Sequence, residues 1–197
     1  MAAAPEVEVR VKDLFVLADD VQEFLDSLSA RFCFIGGLAV LHWGEPRLTR
    51  DVDLSIFTGF GLEEPMIDSL LAKYQPRIED AREFALLNRV LLLQEGPIGI
   101  DISLGGLPFE ERCVERFRSV EVLPGVVLKL CSPEDLIVFK AFASREIDWR
   151  DIRGVIVRQG NATLDWNYID SNLTELAVLK EDLQIIDKLN SLRYSVK

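Results

Sequence analysis

The chain has 197 residues, of which 49% are hydrophobic and 28% are charged, and its formal net charge is −11 at pH 7. This balance is typical of a soluble globular protein and excludes a disordered or fibrous chain. The strong negative charge also disfavours a protein that coats DNA through its overall electric field. Three cysteines without a CxxC pair and a single histidine exclude a structural zinc site and indicate a reduced environment.

Neither the amino terminus nor any apolar run predicts export or membrane insertion. Residues 1–13 lack a basic segment followed by an apolar core, so we expect no secretory signal. The most apolar run, from Val90 to Leu93, is too short to cross a bilayer. We therefore expect a cytoplasmic protein without a membrane partner.

The first two thirds of the chain predict strands that alternate with helices. Segments with apolar residues at helical spacing predict helices, and short apolar or alternating segments between them predict strands. The expected elements are a helix over 13–31, a strand over 32–35, a helix over 38–43, a strand over 51–57 and a helix around 67–74. These are followed by a strand hairpin over 89–94 and 98–104, a short helix over 109–117, and strands over 120–123 and 126–130.

The chain after residue 131 predicts helices alone. Ser132 can cap a helix that starts at Pro133, and Asp135 lies three residues after that cap. Periodicity then predicts helices over 133–145, about 148–159 and one or two across 165–192.

The order of these elements predicts a mixed α/β core followed by a helical part. We expect the core to span 1–130 and the helical region, packed on it, to span 131–197.

The residues that can carry chemistry are a glycine pair and three aspartates. Gly36 and Gly37 lie between a predicted strand and a helix, whose free backbone N–H groups and positive dipole end suit a phosphate. Asp51 and Asp53 are two residues apart on a predicted strand, so both side chains leave the same face. Asp101 offers a third carboxylate from another strand. Carboxylates held together repel each other, and a hard divalent cation relieves that repulsion.

Each of these features alone has an ordinary structural explanation. A glycine pair between a strand and a helix is commonly a turn, and a DxD pattern on a strand is commonly a solvated face. Asp101 is harder to explain in this way, because burial of an unpaired charge in an apolar strand costs several kcal/mol. The order and spacing of the three features together favour a functional site.

This combination resembles the nucleotidyltransferase superfamily typified by DNA polymerase beta. The matching residues are Ile35-Gly36-Gly37, Asp51-Val52-Asp53-Leu54 and Ile100-Asp101-Ile102. The extended pattern GGLAV…G.PR.T.DVDL is similar to minimal bacterial nucleotidyltransferases, especially the relatives of AbiEii-type toxins.

A second segment, from Pro133 to Ile152, is similar to the P-E-D-L block of the same relatives. It carries Lys140, Arg145, Asp148 and Asp151. Many relatives have serine where this chain has Gly37, and the hydroxyl of Thr49 or backbone amides would then replace the serine hydroxyl at the phosphate.

The resemblance implies an α/β (α+β) nucleotidyltransferase fold, with a mixed β-sheet flanked by helices. It implies transfer of a nucleoside monophosphate from a nucleoside triphosphate (NTP) to an acceptor hydroxyl. Asp51, Asp53 and Asp101 would be catalytic and would bind Mg²⁺, as two ions, with Mn²⁺ as the alternative metal. The implied nucleotide-binding residues are Gly36, Gly37, Arg47, Thr49, Arg50, Lys140 and Asp151.

The acceptor stays open at the level of the sequence. The resemblance suggests RNA, such as the 3′ end of a tRNA, in a toxin–antitoxin setting with an antitoxin protein as partner. Net charge disfavours this acceptor. A small, aminoglycoside-like acceptor is the alternative, and a non-catalytic module that binds a partner protein is a third.

Overall fold

The structure is a computed structural model that describes residues 10–196. In this range the chain alternates helices and strands up to residue 130 and is helical beyond it. The helices are α1 Val11–Ser27, α2 Gly36–Trp43, α3 Glu64–Lys73, α4 Ala81–Asn88, α5 Pro108–Glu115, α6 Pro133–Ala143, α7 Glu146–Gln159, α8 Trp166–Lys180 and α9 Gln184–Ser195. The strands are β1 Phe32–Phe34, β2 Asp51–Phe57, β3 Gln75–Pro76, β4 Val90–Glu95, β5 Ile98–Gly105, β6 Arg118–Leu123 and β7 Val126–Leu130.

The strands form one mixed sheet in the order β3-β4-β5-β2-β1-β7-β6. β2 runs parallel to β5 and β1 runs parallel to β7. The other neighbours in the sheet are antiparallel. Helices flank this sheet, so the predicted fold class is confirmed.

The two faces of the sheet have different chemistry because side chains alternate along each strand. One face is apolar at the centre, where Val52, Leu54 and Ile102 are fully buried against α1 and α3. Each such side chain contributes about 1.5–3 kcal/mol by leaving water. The other face carries the aspartates of β2 and β5 and is bordered by α2, α5 and α6. Burial of the first face therefore fixes which residues the second one presents.

A second apolar cluster joins the C-terminal helices to the rest of the chain. It contains Cys33 of β1 and Ala39 of α2 together with Ile137 of α6 and Ile169 of α8. The packing thus crosses residue 131, where the sequence predicts the boundary between the core and the helical region.

The predicted elements agree with the structure most closely for the strands. Residues 51–57 and 126–130 form strands with the predicted bounds. The first helix ends at Ser27 rather than at residue 31, because Ser29 adopts a left-handed φ of 54°. β3 and α4 had no counterpart in the prediction, since β3 has two residues and α4 buries only Ala81 and Ala85.

Residues 1–9, which hold most of the segment considered for a secretory signal, lie outside the described residues. Within the described part, no helix is both long and apolar enough to cross a bilayer.

Candidate active site

The three aspartates lie together because β2 and β5 are parallel neighbours. Asp53 is directly opposite Asp101 in the register, and Asp51 is opposite Gly99. Paired residues of adjacent strands point to the same side of a sheet, and so do residues two apart on one strand. Asp51, Asp53 and Asp101 therefore share one face.

Asp53 is held against the amino terminus of α2. The backbone N–H of Gly37 donates to Oδ2 of Asp53 over 3.0 Å. Gly36 has a φ of +55°, and an ideal Cβ there would lie 2.2 Å from Oδ2 of Asp53. Both the backbone conformation and the close approach of the carboxylate thus require glycine at position 36.

The close carboxylates change each other's protonation. Burial raises the pKa of Asp53, the Gly37 N–H opposes this shift, and the charges of Asp101 and Asp51 raise it further. Burial also raises the pKa of Asp101, against the opposing charge of Arg77. The site therefore concentrates negative charge that a cation would stabilise.

One cation is already at the site. The guanidinium of Arg77, which follows β3, pairs with Oδ1 of Asp101 and lies 3.7 Å from Oδ1 of Asp51. In this arrangement, no three His, Cys, Asp or Glu side chains within residues 10–196 are placed to hold a metal ion. The donor set still fits Mg²⁺ or Mn²⁺, because the carboxylates are hard oxygen ligands and a positive group already bridges two of them.

Thr49 fills the space beside Gly37. It is buried, and its Oγ1 would lie 2.2 Å from an ideal Cβ on Gly37. A side chain cannot therefore be added at position 37 unless Thr49 moves. The hydroxyl of Thr49 thus occupies the space that a side chain at position 37 would need.

We expect the two positions to be energetically coupled. Gly37→Ser should reduce the free energy of unfolding by about 1–3 kcal/mol, because it overpacks a filled space. Thr49→Ala removes the hydroxyl but leaves its Cβ 2.8 Å from an ideal Cβ on residue 37, so the double variant should recover only part of the loss. Urea unfolding of the four proteins in a double-mutant cycle measures this coupling. Additive losses would show that the two side chains do not compete for the same space.

A buried ion-pair network lies behind this face, between α6 and α7. Nζ of Lys140 is 2.9 Å from Asp148 and 2.8 Å from Asp151. Arg47 donates to both oxygens of Asp151 over 2.8 and 2.9 Å. Arg145 donates to Asp148 over 2.7 and 3.1 Å. Both carboxylates are therefore fully engaged, and Asp151 contacts cationic side chains rather than open space.

Acid should weaken this network. Burial by itself would raise the pKa of Asp151, but hydrogen bonds from Arg47 and Lys140 outweigh it, so its pKa lies below the ordinary 3.8. Such a carboxyl contributes stability above its unfolded-state pKa and loses that contribution as the pH falls through its folded-state pKa. We expect the urea midpoint of the wild type to fall below about pH 4, and less steeply in Asp151→Asn. An identical acid dependence in both proteins would contradict this origin.

A pocket of about 520 Å³ opens between the aspartate face and the C-terminal helices. Its polar lining consists of Gly36, Ser103, three carboxylates and two cationic side chains, namely Asp53, Glu110, Asp148, Lys140 and Arg145. Its other walls are mainly apolar and come from Leu107, Phe109, Leu136, Phe139, Phe142 and Leu176. Lys140 and Arg145 suit the anionic end of a ligand, and the apolar walls suit a flat apolar body.

The structure thus brings together most of the residues that the sequence predicts. Arg50 is the exception, since it is exposed and no hydrogen bond or ion pair joins its side chain to another described residue. The sequence did not predict Arg77 or the apolar wall of the pocket as parts of the site. Arg77 follows a two-residue strand without any local pattern, so no signal in the sequence points to it.

This chain is similar to known nucleotidyltransferases in sequence and in fold. A protein-family model described as "Nucleotidyltransferase of unknown function (DUF6036)" matches residues 11–195. An antigenic nucleotidyltransferase-like protein from Paracoccidioides brasiliensis is similar over 95% of each chain, with 18% identity and a TM-score of 0.54. The antibiotic-resistance factor ANT(2'')-Ia is similar over 87% of this chain and 97% of its own, with 15% identity and a TM-score of 0.57. At sequence identities this low, the similarity to these two structures shows the fold of this chain and nothing more. The curated protein sequences contain no significant match.

Proposed function

This chain belongs to the DUF6036 family of nucleotidyltransferases, and we propose that it transfers a nucleoside monophosphate from an NTP to an acceptor hydroxyl. The acceptor oxygen forms a bond to the α-phosphorus while the bond from that phosphorus to the bridging oxygen breaks, and pyrophosphate leaves. The observation that supports this proposal is that Asp51, Asp53 and Asp101 lie on one face of the sheet. This face borders the pocket and the amino terminus of α2.

The aspartates would hold the metal, Mg²⁺ as two ions or Mn²⁺ in its place. A divalent cation bound there would neutralise the triphosphate and lower the pKa of the attacking hydroxyl. Asp101 would lie beside the acceptor and take up the proton that the hydroxyl loses. The N–H of Gly37 holds the carboxylate of Asp53 in place, so this side chain would bind the metal ion without changing its conformation.

Cationic side chains near Asp53, chiefly that of Lys140, would hold the triphosphate. A lysine ammonium has three donors, and two of those of Lys140 are directed at Asp148 and Asp151. The third donor is available to a phosphate oxygen, since Lys140 lines the pocket. Asp151 would act as a positioning residue for Lys140 and Arg47. The free backbone N–H groups of α2 and the hydroxyl of Thr49 would complete the phosphate site.

The apolar wall of the pocket would receive the base of the nucleotide. Phe139 and Phe142 lie on the same helix as Lys140. A base that packs on this wall would therefore lie near the cation that holds its phosphates. Stacking and apolar burial tolerate any base, so this wall by itself does not select one.

Two classes of acceptor suit this chemistry. The resemblance to toxin-type relatives suggests an RNA 3′ end, with a cytoplasmic location and an antitoxin partner. A small hydroxylated molecule is favoured by the net charge of −11, which repels a polyanion. The fold neighbour ANT(2'')-Ia is itself described as an antibiotic-resistance factor. We therefore propose a small, preferably cationic, acceptor first and RNA second.

The direct test is a transfer assay. Purified protein is incubated with Mg²⁺, each of the four α-³²P-labelled NTPs, and either total tRNA or a panel of aminoglycosides. Metal-dependent label on an aminoglycoside supports the first proposal, and label on tRNA supports the second. If the protein binds NTP but label is transferred neither to an acceptor nor to the protein itself, the result favours a non-catalytic binding module. EDTA-treated protein is the control for metal dependence.

A further inference from the structure

Arg77 reaches the acidic face from the edge of the sheet. It follows β3, an edge strand of two residues, and its backbone N–H donates to the carbonyl oxygen of Leu92 over 3.0 Å. Its side chain is 32% exposed, and its guanidinium contacts Asp101 and approaches Asp51. The charged end of Arg77 is thus close to water, while its backbone is fixed in the sheet.

The fold leaves room for this guanidinium. Gly99 lies opposite Asp51 in the register of β2 and β5. An ideal Cβ on Gly99 would lie 2.4 Å from Oδ1 of Asp51 and 2.5 Å from Nη1 of Arg77. Any larger residue at position 99 would push this pair apart. The approach of Arg77 to Asp51 therefore depends on a glycine near the start of β5, an interior strand of the sheet, where glycine is otherwise unfavourable.

Arg77 and a metal ion would need the same oxygen atoms. The guanidinium is directed at Oδ1 of both Asp51 and Asp101, and a divalent cation bound to these oxygens would repel the positive charge of the guanidinium. Arg77 has an open path to solvent, since one third of its side chain is already exposed. A partly exposed ion pair of this kind is weak enough to be exchanged.

We propose that Arg77 is an exchangeable internal counter-ion. It offsets part of the negative charge of Asp51 and Asp101 when no divalent cation is bound, and it leaves their oxygens when the cation binds. This inference rests on the proposed function, because it assumes that the aspartates bind metal. It has two consequences: Arg77 competes with the metal, and it stabilises the metal-free fold.

The test compares Arg77→Gln with Arg82→Gln. Arg82 is a matched control, because its side chain is 36% exposed and pairs with Glu64 and Asp68 on α3, away from the site. Mn²⁺ affinity is measured by electron paramagnetic resonance on metal-free protein, without nucleotide. We expect Arg77→Gln to bind Mn²⁺ about three- to tenfold more tightly than the wild type, because the competing cation is gone. Arg82→Gln should bind it as the wild type does.

Thermal unfolding gives the second readout. Without metal, Arg77→Gln should melt at a lower temperature than the wild type, and saturating Mn²⁺ should remove that difference. Arg77→Lys, which keeps the charge, should lie between the two in both measurements. Equal or weaker Mn²⁺ binding by Arg77→Gln overturns the role of Arg77, while transfer by the wild type would leave the proposed function intact. Absence of Mn²⁺ binding in every variant overturns the role of Arg77, and absence of transfer by the wild type as well overturns the proposed function.

Discussion

Replacing Asp53 by asparagine is expected to lower the rate of nucleotidyl transfer strongly while leaving the protein folded. Asparagine is nearly isosteric, and its carbonyl oxygen can still accept the N–H of Gly37 that Asp53 accepts now. The variant loses the central negative charge of the three carboxylates. We expect kcat to fall by about 10²–10³-fold, the scale seen when one preorganised electrostatic group is removed. The measurement is transfer of labelled nucleotide to whichever acceptor the wild type uses.

The same substitution should raise stability in the absence of metal. Burial and the charges of Asp101 and Asp51 raise the pKa of Asp53, which means that its ionised form is unfavourable in the folded protein. A neutral side chain removes this unfavourable term, so Asp53→Asn should need more urea to unfold at pH 7. Loss of activity with a gain of stability is typical of a residue kept for function.

Asp187→Asn is a suitable control for both measurements, since Asp187 is an exposed aspartate on α9. It should change neither transfer nor stability noticeably. If Asp53→Asn retained wild-type transfer and metal binding, Asp53 would not belong to the active site.

Replacing Lys140 by methionine is expected to cause the largest loss of stability. Lys140, Asp148 and Asp151 are all buried, and methionine fills a similar volume without the charge. The two carboxylates would lose a shared partner while remaining out of water. Asp151 would keep Arg47, and Asp148 would keep Arg145. We therefore expect a loss of at most about 3–5 kcal/mol, the amount that follows removal of one partner from a buried ion pair. Urea unfolding at pH 7 and low ionic strength measures this change.

The matched control is Lys180→Met. Lys180 is 32% exposed, donates to the carbonyl oxygen of Phe142 over 2.7 Å and pairs with Asp182 at 3.7 Å, and exposed contacts of this kind are typically worth about 0–1 kcal/mol. A loss of similar size in both variants would mean that the buried network contributes no more than a surface pair.

Nucleotide binding separates the structural effect of Lys140 from its proposed contact with phosphate. Under conditions where the variant is still folded, Lys140→Met should weaken NTP binding more than binding of the corresponding monophosphate, because a point charge on the triphosphate is lost. Lys140→Arg keeps the charge and should recover part of the difference. Equal losses for both nucleotides would contradict contact with the triphosphate.

The sequence by itself determined the local elements and the chemistry they carry. Alternation over 51–57 predicted a strand with Asp51 and Asp53 on one face, and the structure has that strand with the same bounds. Ser132, Pro133 and Asp135 predicted the start of α6, where Ser132 now accepts the N–H of Asp135. These signals are readable because capping and side-chain periodicity involve residues only a few positions apart.

Only the tertiary structure decided which of these elements meet. The pairing of Asp53 with Asp101 depends on the register of two strands that are distant in sequence, and that register is set by burial of the whole opposite face. The partners of Lys140 come from the packing of α6 on α7. Arg77 arrives from an edge strand too short to leave a periodic pattern. Such contacts are absent from the sequence pattern because they depend on how the complete chain excludes water, and no local spacing encodes that.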